Sequence, residues 1–380
     1  MKLSTSYLIF ILLWVPFLEV KAQGLIYSPD IPVEQHRIVI DHALGGTVSE
    51  WFVELSYTPL ETKNSRDVVN SVFKTGMIGN SIGILPNDSK KFYIYSTEGR
   101  LIKMVDIAKI SGLPNSEGVH DMRVWGDCFV LSMTNYKVKM DNKGENILLL
   151  EEQFRYGTDS VQVGNLVWKY MRYDSLDNPT IALALNNNVV IGYSNDRAQF
   201  FFDKDTYFSP VSTPNGLSYF LPDNHYKIFE LEESKINKVY DFIFPQHNLV
   251  DTSVVYNSYT DWAKKIIKQE EKIHAFDHVL RCGNYLIFKA GLYNFYGLDL
   301  FTKDFISFAN IIPDQSNDYM EVFSNFPVLT DGEYLYTFMH SYSVQYSRNT
   351  CEEENHTMRK EYQDLLKQYN IILLRFKLKI

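Results

Sequence analysis

Phe92-Tyr-Ile-Tyr-Ser-Thr-Glu-Gly99-Arg-Leu-Ile-Lys-Met-Val105 is two β-rich runs hinged on a turn that carries glycine. Lys137-Val-Lys-Met-Asp-Asn-Lys-Gly144-Glu-Asn-Ile-Leu-Leu-Leu150 repeats the same grammar, with Gly144 placed 45 residues after Gly99. That interval matches one blade of a β-propeller, roughly 40–50 residues. Each such unit leaves an apolar face that only a neighbouring unit can cover, so copies must stack.

Outward from this pair, the grammar continues. Asp121-Met-Arg-Val-Trp-Gly-Asp-Cys-Phe-Val-Leu-Ser reads as strand, tight turn, strand. Residues 36–41 and 50–57 are rich in β formers and read as strands. Later hairpins are expected at 181–193, 198–208, 225–244, 279–289 and 295–307. The last is centred on Asp331-Gly332, a strong hairpin signal. The chain ends in the apolar strand Ile371-Ile-Leu-Leu-Arg-Phe-Lys-Leu378. A ring of blades must be closed, and this strand and the early one near 50–57 are the natural pair. Two segments break the pattern with helical character, 259–274 and 352–369, and read as insertions at blade edges. The fold expected is therefore all-β, a propeller with two short helical insertions.

The chain opens on Lys2, the apolar run 8–18 and Val20-Lys-Ala22, the layout of a secretory signal. The run is shorter than the roughly 20 apolar residues of a membrane span. No cysteine follows Ala22, so no lipid anchor is expected there. The domain reading is signal 1–22, an irregular lead-in 23–35, and a propeller over 36–380. Its compartment would be periplasmic or extracellular.

Formal charge is −9 over 380 residues, which argues against a nucleic-acid partner, since that calls for a basic face. Three cysteines, Cys128, Cys282 and Cys351, leave at least one unpaired in an exported chain. Cys128 and Cys282 stand at strand positions where cysteine serves as a small buried hydrophobe.

At Tyr57-Thr-Pro-Leu-Glu-Thr62 the chain resembles the I-P-L-E-T segment of the six-bladed β-propeller family of exported Bacteroidetes proteins. The preceding Val48-Ser-Glu-Trp-Phe-Val-Glu-Leu is similar to that family's leading strand, and the turns at Gly99 and Gly144 to its D-G-K blade turns. The stretch from Ser316-Asn-Asp-Tyr to Asp331-Gly-Glu-Tyr-Leu resembles its late N-D … P-x-x-x-D-G-x-x-L motif. The ending Asn370-Ile-Ile-Leu-Leu-Arg-Phe-Lys-Leu-Lys resembles its N-P-x-L-x-x-x-K-L-K, without the proline. The family's G-x-G-P-G-E loop survives only as Gly112-Leu-Pro-Asn-Ser-Glu117. The resemblance spans 48–379 and implies six blades and export. The family has no established general activity, so no function comes with it.

Propellers bind ligands at the mouth of the central channel, where inner strands begin. His120-Asp121 and Asp277-His278 stand at such starts. Two His/Asp units could hold a metal or act as an acid–base pair. As turn and cap residues they could equally bond local backbone. Trp125, Trp168 and Tyr219 are candidates for stacking on a sugar ring, against the alternative that they pack between blades. The acidic loops Asp203-Lys-Asp205 and Asp314-Gln-Ser-Asn-Asp318 lack the twelve-residue calcium-loop pattern. Phosphate-loop and zinc-protease motifs are absent from the sequence.

The reading that emerges is a non-catalytic exported propeller, monomeric and without a cofactor. It would bind a protein, a peptide or a glycan. The alternative is a hydrolase or lyase working through His120, Asp121, Asp277 and His278, with or without a divalent ion. Convergence of those four side chains at one mouth would favour the enzyme; local contacts would favour the binder.

Overall fold

A computed structural model describes residues 30–63, 68–88, 90–114, 118–152, 159–173, 180–186, 188–194, 208–209, 216–222, 225–249, 272–273, 276–291, 294–323, 328–367 and 371–379. The chain first lays down three strands, β1 (Val33–Arg37), β2 (Leu44–Thr47) and β3 (Phe52–Pro59), with one helical turn α1 (Val48–Trp51) before β3. Six sheets then form a ring. Blade 1 is β4 (Lys74–Ile78), β5 (Ser81–Leu85), β6 (Lys91–Ser96) and β7 (Leu101–Asp106). Blade 2 is β8 (Asp121–Trp125), β9 (Cys128–Ser132), β10 (Tyr136–Asp141) and β11 (Leu148–Glu151). Blade 3 is β12 (Asp159–Val163), β13 (Leu166–Tyr173), β14 (Thr180–Leu185) and β15 (Asn188–Ser194). Blade 4 is β16 (Phe208–Ser209), β17 (Ser218–Phe220), β18 (Lys227–Leu231) and β19 (Ile236–Ile243). Blade 5 is β20 (Phe276–Cys282), β21 (Tyr285–Ala290), β22 (Asn294–Asp299) and β23 (Phe305–Ile312). Blade 6 is β24 (Leu329–Thr330), β25 (Leu335–His340) and β26 (Ile371–Leu378), completed by β3.

The fold is thus a six-bladed β-propeller. Its inner strands touch in sequence around the ring, β12 to β16, β16 to β20, β20 to β24, β24 to β4 and β4 to β8. The C-terminal β26 pairs antiparallel with the N-terminal β3, from Ile372 opposite Pro59 to Leu378 opposite Phe52. Closure in this way joins the last blade to the first segment of the chain and removes the free edge of an open sheet.

Two details differ from the sequence reading. The lead-in already forms structure at Val33, where β1 adds as a parallel fifth strand to β19 of blade 4. Next, β2 adds in the same way to β23 of blade 5. And Val48-Ser-Glu-Trp51, read as the start of a strand, is the helical turn α1. Thr47-x-x-Glu50 is the cause: the Glu50 carboxylate accepts from the Thr47 N–H at 2.7 Å, which is one half of a capping box.

Core packing lies between blades rather than within one central mass. The interface of blades 1 and 2 joins Phe92 to Phe129 edge-to-face at 5.3 Å. That of blades 4 and 5 joins Phe242, Phe276 and Phe288 at 5.0 Å. Such pairs add about 0.5–1.5 kcal/mol each beyond simple burial. Tyr and Phe fill these interfaces, and blades 1, 4, 5 and 6 are packed on both faces.

Connections divide by face. Hairpins joining the first and second strands are two-residue loops in four blades: Gly79-Asn80, Gly126-Asp127, Gly164-Asn165 and Gly283-Asn284. Each glycine has φ between +53° and +60°, as the first position of a type II′ turn requires. Gly99 and Gly144 occupy the turn between third and fourth strands of blades 1 and 2, with φ of +74° and +70°. All of these lie on one face, the turn face. On the opposite face run the described parts of the longer connections, 60–63, 68–73, 107–114, 118–120, 244–249 and 313–323, together with the excursion 341–367.

That excursion holds α2 (Tyr342–Glu353) and α3 (Lys360–Leu365). Helix therefore begins ten residues before the expected 352, and breaks between Glu354 and Arg359. The other expected helix, 259–274, lies almost wholly outside the described residues, as do the expected hairpin at 198–208 for the most part and the secretory signal.

Candidate functional site

Inner strands all start on the loop face, so His120-Asp121 and Asp277-His278 do share one end of the channel. Inner strands lie side by side, start against start. Val279 of β20 donates its N–H to Ser209 Oγ of β16 at 2.7 Å, and Lys74 of β4 reaches Asp121 of β8.

His120 is held within its own blade and His278 by the neighbouring one. His120 Nε2 is 2.9 Å from the Thr134 hydroxyl on the next loop of its own blade. His278 is the extra residue of a β-bulge, where the pairing of β20 with β21 shifts between Asp277 and Val279. Its backbone sits in the left-handed region at φ +53°, a conformation in which a bulge re-aims a side chain. The ring turns toward blade 6, where Nε2–H donates to the Val328 carbonyl, and its edge meets Phe295. A carbonyl can only accept, so Nε2 carries the proton. Burial pushes the His278 pKa down, against weaker upward effects of the Val328 hydrogen bond and Asp277. The Lys74 and Lys289 ammonium groups push it the same way as burial.

Asp121 is buried, 5% exposed. Its Oδ2 accepts from Arg123 Nε at 2.5 Å, and its Oδ1 faces the Lys74 ammonium at 3.8 Å. Arg123 follows Asp121 by two positions on one strand, hence on the same face; that spacing was legible in the sequence. Lys74 comes from another blade, and no local signal pointed to it. Among the described residues, no three His, Cys, Asp or Glu side chains are grouped to hold a metal ion.

Of the aromatic candidates, Trp168 and Tyr219 are corrected. Trp168 is fully buried between blades 3 and 4, and its Nε1–H donates to the Glu232 carbonyl at 2.9 Å. Tyr219 is also buried, in the interface of blades 4 and 5, with its hydroxyl 3.5 Å from Glu230 Oε2. Glu230 in turn takes Tyr240 Oη at 3.0 Å and Asn237 Nδ2 at 2.5 Å, with Arg281 at 3.9 Å. Neither ring can stack on a ligand. Trp125 is half-buried at the far end of β8, beside the Gly126 turn. Four residues of strand put it roughly 13 Å from Asp121, toward the turn face.

The exposed aromatics on the loop face are different ones. Tyr342 and Tyr346 are 71% and 76% exposed, one helical turn apart on α2, and His340 stacks on Tyr342 at 5.0 Å. The i, i+4 spacing on α2 was readable only once that helix was known to start at 342. α2 and α3 are tied to the propeller through Asp318, whose buried carboxylate accepts from His356 Nε2 at 3.0 Å and from Arg359 N and Nε at 2.8 and 3.1 Å. On the perimeter, an open groove of about 650 Å³ runs between blades 1 and 2, lined by Lys103, Lys109, Ile110, Ile147 and Leu149 among others.

No protein-family model matches the chain, and no curated protein does. A crystal structure from Bacteroides fragilis that carries an exported-protein designation is similar at 13% identity and a TM-score of 0.61, over 92% of this chain and all of that one. A member of the DUF4221 family from Bacteroides vulgatus is similar at 12% identity and a TM-score of 0.46, over 86% and 97% of the two chains. Likeness at these identities is likeness of fold. Among the described residues, no helix is long and apolar enough to cross a membrane.

Proposed function

We propose that this chain is an exported, non-catalytic binding propeller that presents its loop face to a protein, peptide or glycan. One observation carries the reading. Both channel-mouth histidines are anchored to the protein, His278 to the Val328 carbonyl and His120 to Thr134, on blades 5 and 2, which stand across the ring from each other. A paired acid–base site needs both groups within hydrogen-bond reach of one substrate. Support also comes from the division of faces: tight turns on one side, and long connections with exposed tyrosines on the other. Loops on a rigid scaffold are where recognition concentrates. The exported-protein designation of the Bacteroides fragilis relative favours the same compartment for this chain.

The test is capture and turnover with the protein from residue 23 onward. Retention of a discrete partner or saccharide, released unaltered, is the expected result. Metal-stimulated cleavage of any substrate, abolished by His278→Ala in a protein that still folds, would overturn the reading.

A further inference from the structure

The outer strand of blade 1 repeats the outer strand of blade 4. Lys103-Met-Val-Asp106 on β7 matches Lys238-Val-Tyr-Asp241 on β19. Their pairing matches too. Lys91 stands opposite Asp106 as Lys227 stands opposite Asp241. The Ile107 N–H donates to the Lys90 carbonyl as the Phe242 N–H does to that of Tyr226. Lys103 and Lys238 each lie two positions before a residue buried against the next blade, Val105 and Tyr240, and so share its face.

On blade 4 this edge is filled. β1 runs parallel to β19 with Glu34 opposite Tyr240. The Val239 N–H donates to the Pro32 carbonyl at 2.9 Å, and the Ile38 N–H to the Ile243 carbonyl at 3.0 Å. The Glu34 carboxylate accepts from Lys238 at 3.1 Å and from Lys303, which lies in the turn between the third and fourth strands of blade 5. His36, two positions on, packs against Tyr240 and Phe242. On blade 5, β2 adds to β23 in the same parallel sense.

On blade 1 the edge is open: among the described residues, β7 ends its sheet. The perimeter groove of about 650 Å³ runs along it. Residues 103–106 line that groove in succession. Successive strand side chains point to opposite faces, so it is the backbone edge that borders the groove. A row of unpaired N–H and C=O groups selects an extended chain over a compact solute. Lys103 is exposed and, among the described residues, makes no ion pair. The Asp141–Glu145 turn of blade 2 abuts it, since a Cβ on Gly144 would lie 2.8 Å from Lys103 Cγ, and this turn carries exposed Lys143. Asp106, the acid of β7, is offset by Lys109 at 3.0 Å. A lysine on an edge strand can keep other strands away. On β19 the equivalent lysine instead takes up a carboxylate.

We infer that the β7 edge takes an extended segment of a partner protein as a parallel fifth strand, with an acidic residue opposite Val105 and an apolar residue two positions after it. The acid meets Lys103 as Glu34 meets Lys238. The apolar side chain stands where His36 stands on blade 4 and lies against exposed Ile147 and half-buried Leu149 of the groove. The site is on the perimeter, apart from the loop face, and does not depend on the reading above.

The test offers phage-displayed random nonapeptides to the immobilised protein from residue 23 onward. Enriched sequences are remade and titrated by fluorescence anisotropy. Peptides with Asp or Glu two positions before an apolar residue should be enriched. Lys103→Glu should weaken them about tenfold or more, and selection on that variant should exchange the acid for Lys or Arg. Ile147→Asp is a second exposed-site variant that should weaken them too. Methylating alternate peptide amides should abolish binding in one phase and spare it in the other, as one bonded strand edge requires. No enrichment, or peptides indifferent to both variants, overturns the site; indifferent peptides would leave the loop-face reading standing. Self-association abolished by Lys103→Glu would seat a second copy there and overturn the partner strand.

Discussion

The Asp318 carboxylate, 2% exposed, receives the Arg359 backbone N–H at 2.8 Å and its guanidinium Nε at 3.1 Å. Asp318 lies in the connection that leads to β24, and Arg359 is the residue before α3. The pair clamps the helical excursion to the rim of blade 6. Cys351 adds an Sγ–H to the Asp318 carbonyl at 3.1 Å, and Arg359 caps the Tyr362 ring at 4.3 Å. Exposed ion pairs contribute little, but removing one partner of a buried one leaves an uncompensated group. Arg359 keeps about half its surface in water, so Asp318→Ala should cost about 1–3 kcal/mol in urea unfolding. Amide exchange should quicken first in α2 and α3. Uniform exchange across all six blades would contradict the clamp.

Acid should loosen the protein in two windows. Buried His278 has its pKa pushed down by burial, as does His36. Below about pH 6.5 the unfolded chain binds protons at these rings that the folded one refuses. Their contribution is thus fully present above pH 6.5 and is lost as pH falls toward the folded values. His278→Gln should shrink the slope of stability against pH by up to one proton, about 1.4 kcal/mol per pH unit. An identical slope in the variant would place the effect elsewhere.

Asp314 governs the second window. Burial works to raise its pKa, but Ser316 and Ser49, through hydroxyls and backbone N–H groups, hold it down to about 2. Its stabilisation is present above about pH 4 and is lost between there and pH 2. Asp314→Asn should flatten acid unfolding in that range. Chemical denaturation at half-unit pH steps would measure it.

Gly83 exists for space. A Cβ there would lie 2.7 Å from Phe92 and 2.8 Å from Phe129, the edge-to-face pair joining blades 1 and 2. Neither ring can retreat without moving its strand. Gly83→Ala should destabilise by about 1–3 kcal/mol, read as a lowered melting temperature. A neutral result would mean that this interface is loosely packed.

Trp168 gives a control on the aromatic reading. Trp168→Ala should cost about 3–5 kcal/mol, because it empties the interface of blades 3 and 4. Any ligand should bind the surviving folded fraction with unchanged affinity. Loss of affinity at full folding would return Trp168 to the binding surface.

The hairpins, the closing strands and the aromatic cores were readable as local patterns. Gly79-Asn80, Gly126-Asp127, Gly164-Asn165 and Gly283-Asn284 form a truer repeat than the Gly99 and Gly144 turns, because the inner hairpin must turn tightly in each of their blades. Unequal spacing hid it. Trp168 and Tyr219 misled because a blade buries both faces, so alternation along a strand does not mark an outward side. α1 was misjudged because Val, Trp and Phe suit a strand, while the Thr47–Glu50 contact overrides them locally.

From its residues alone, the chain determines that it is a ring of β-hairpins, since turn chemistry and strand preference act over a few neighbouring positions. Only the tertiary structure decides which groups meet at the rim. Lys74 and Asp121 lie 47 residues apart on different blades and come together because inner strands lie start against start. That His278 faces the Val328 carbonyl follows from a bulge and a neighbouring blade. Contacts of that kind depend on how neighbouring blades are set against each other, and no local pattern encodes that.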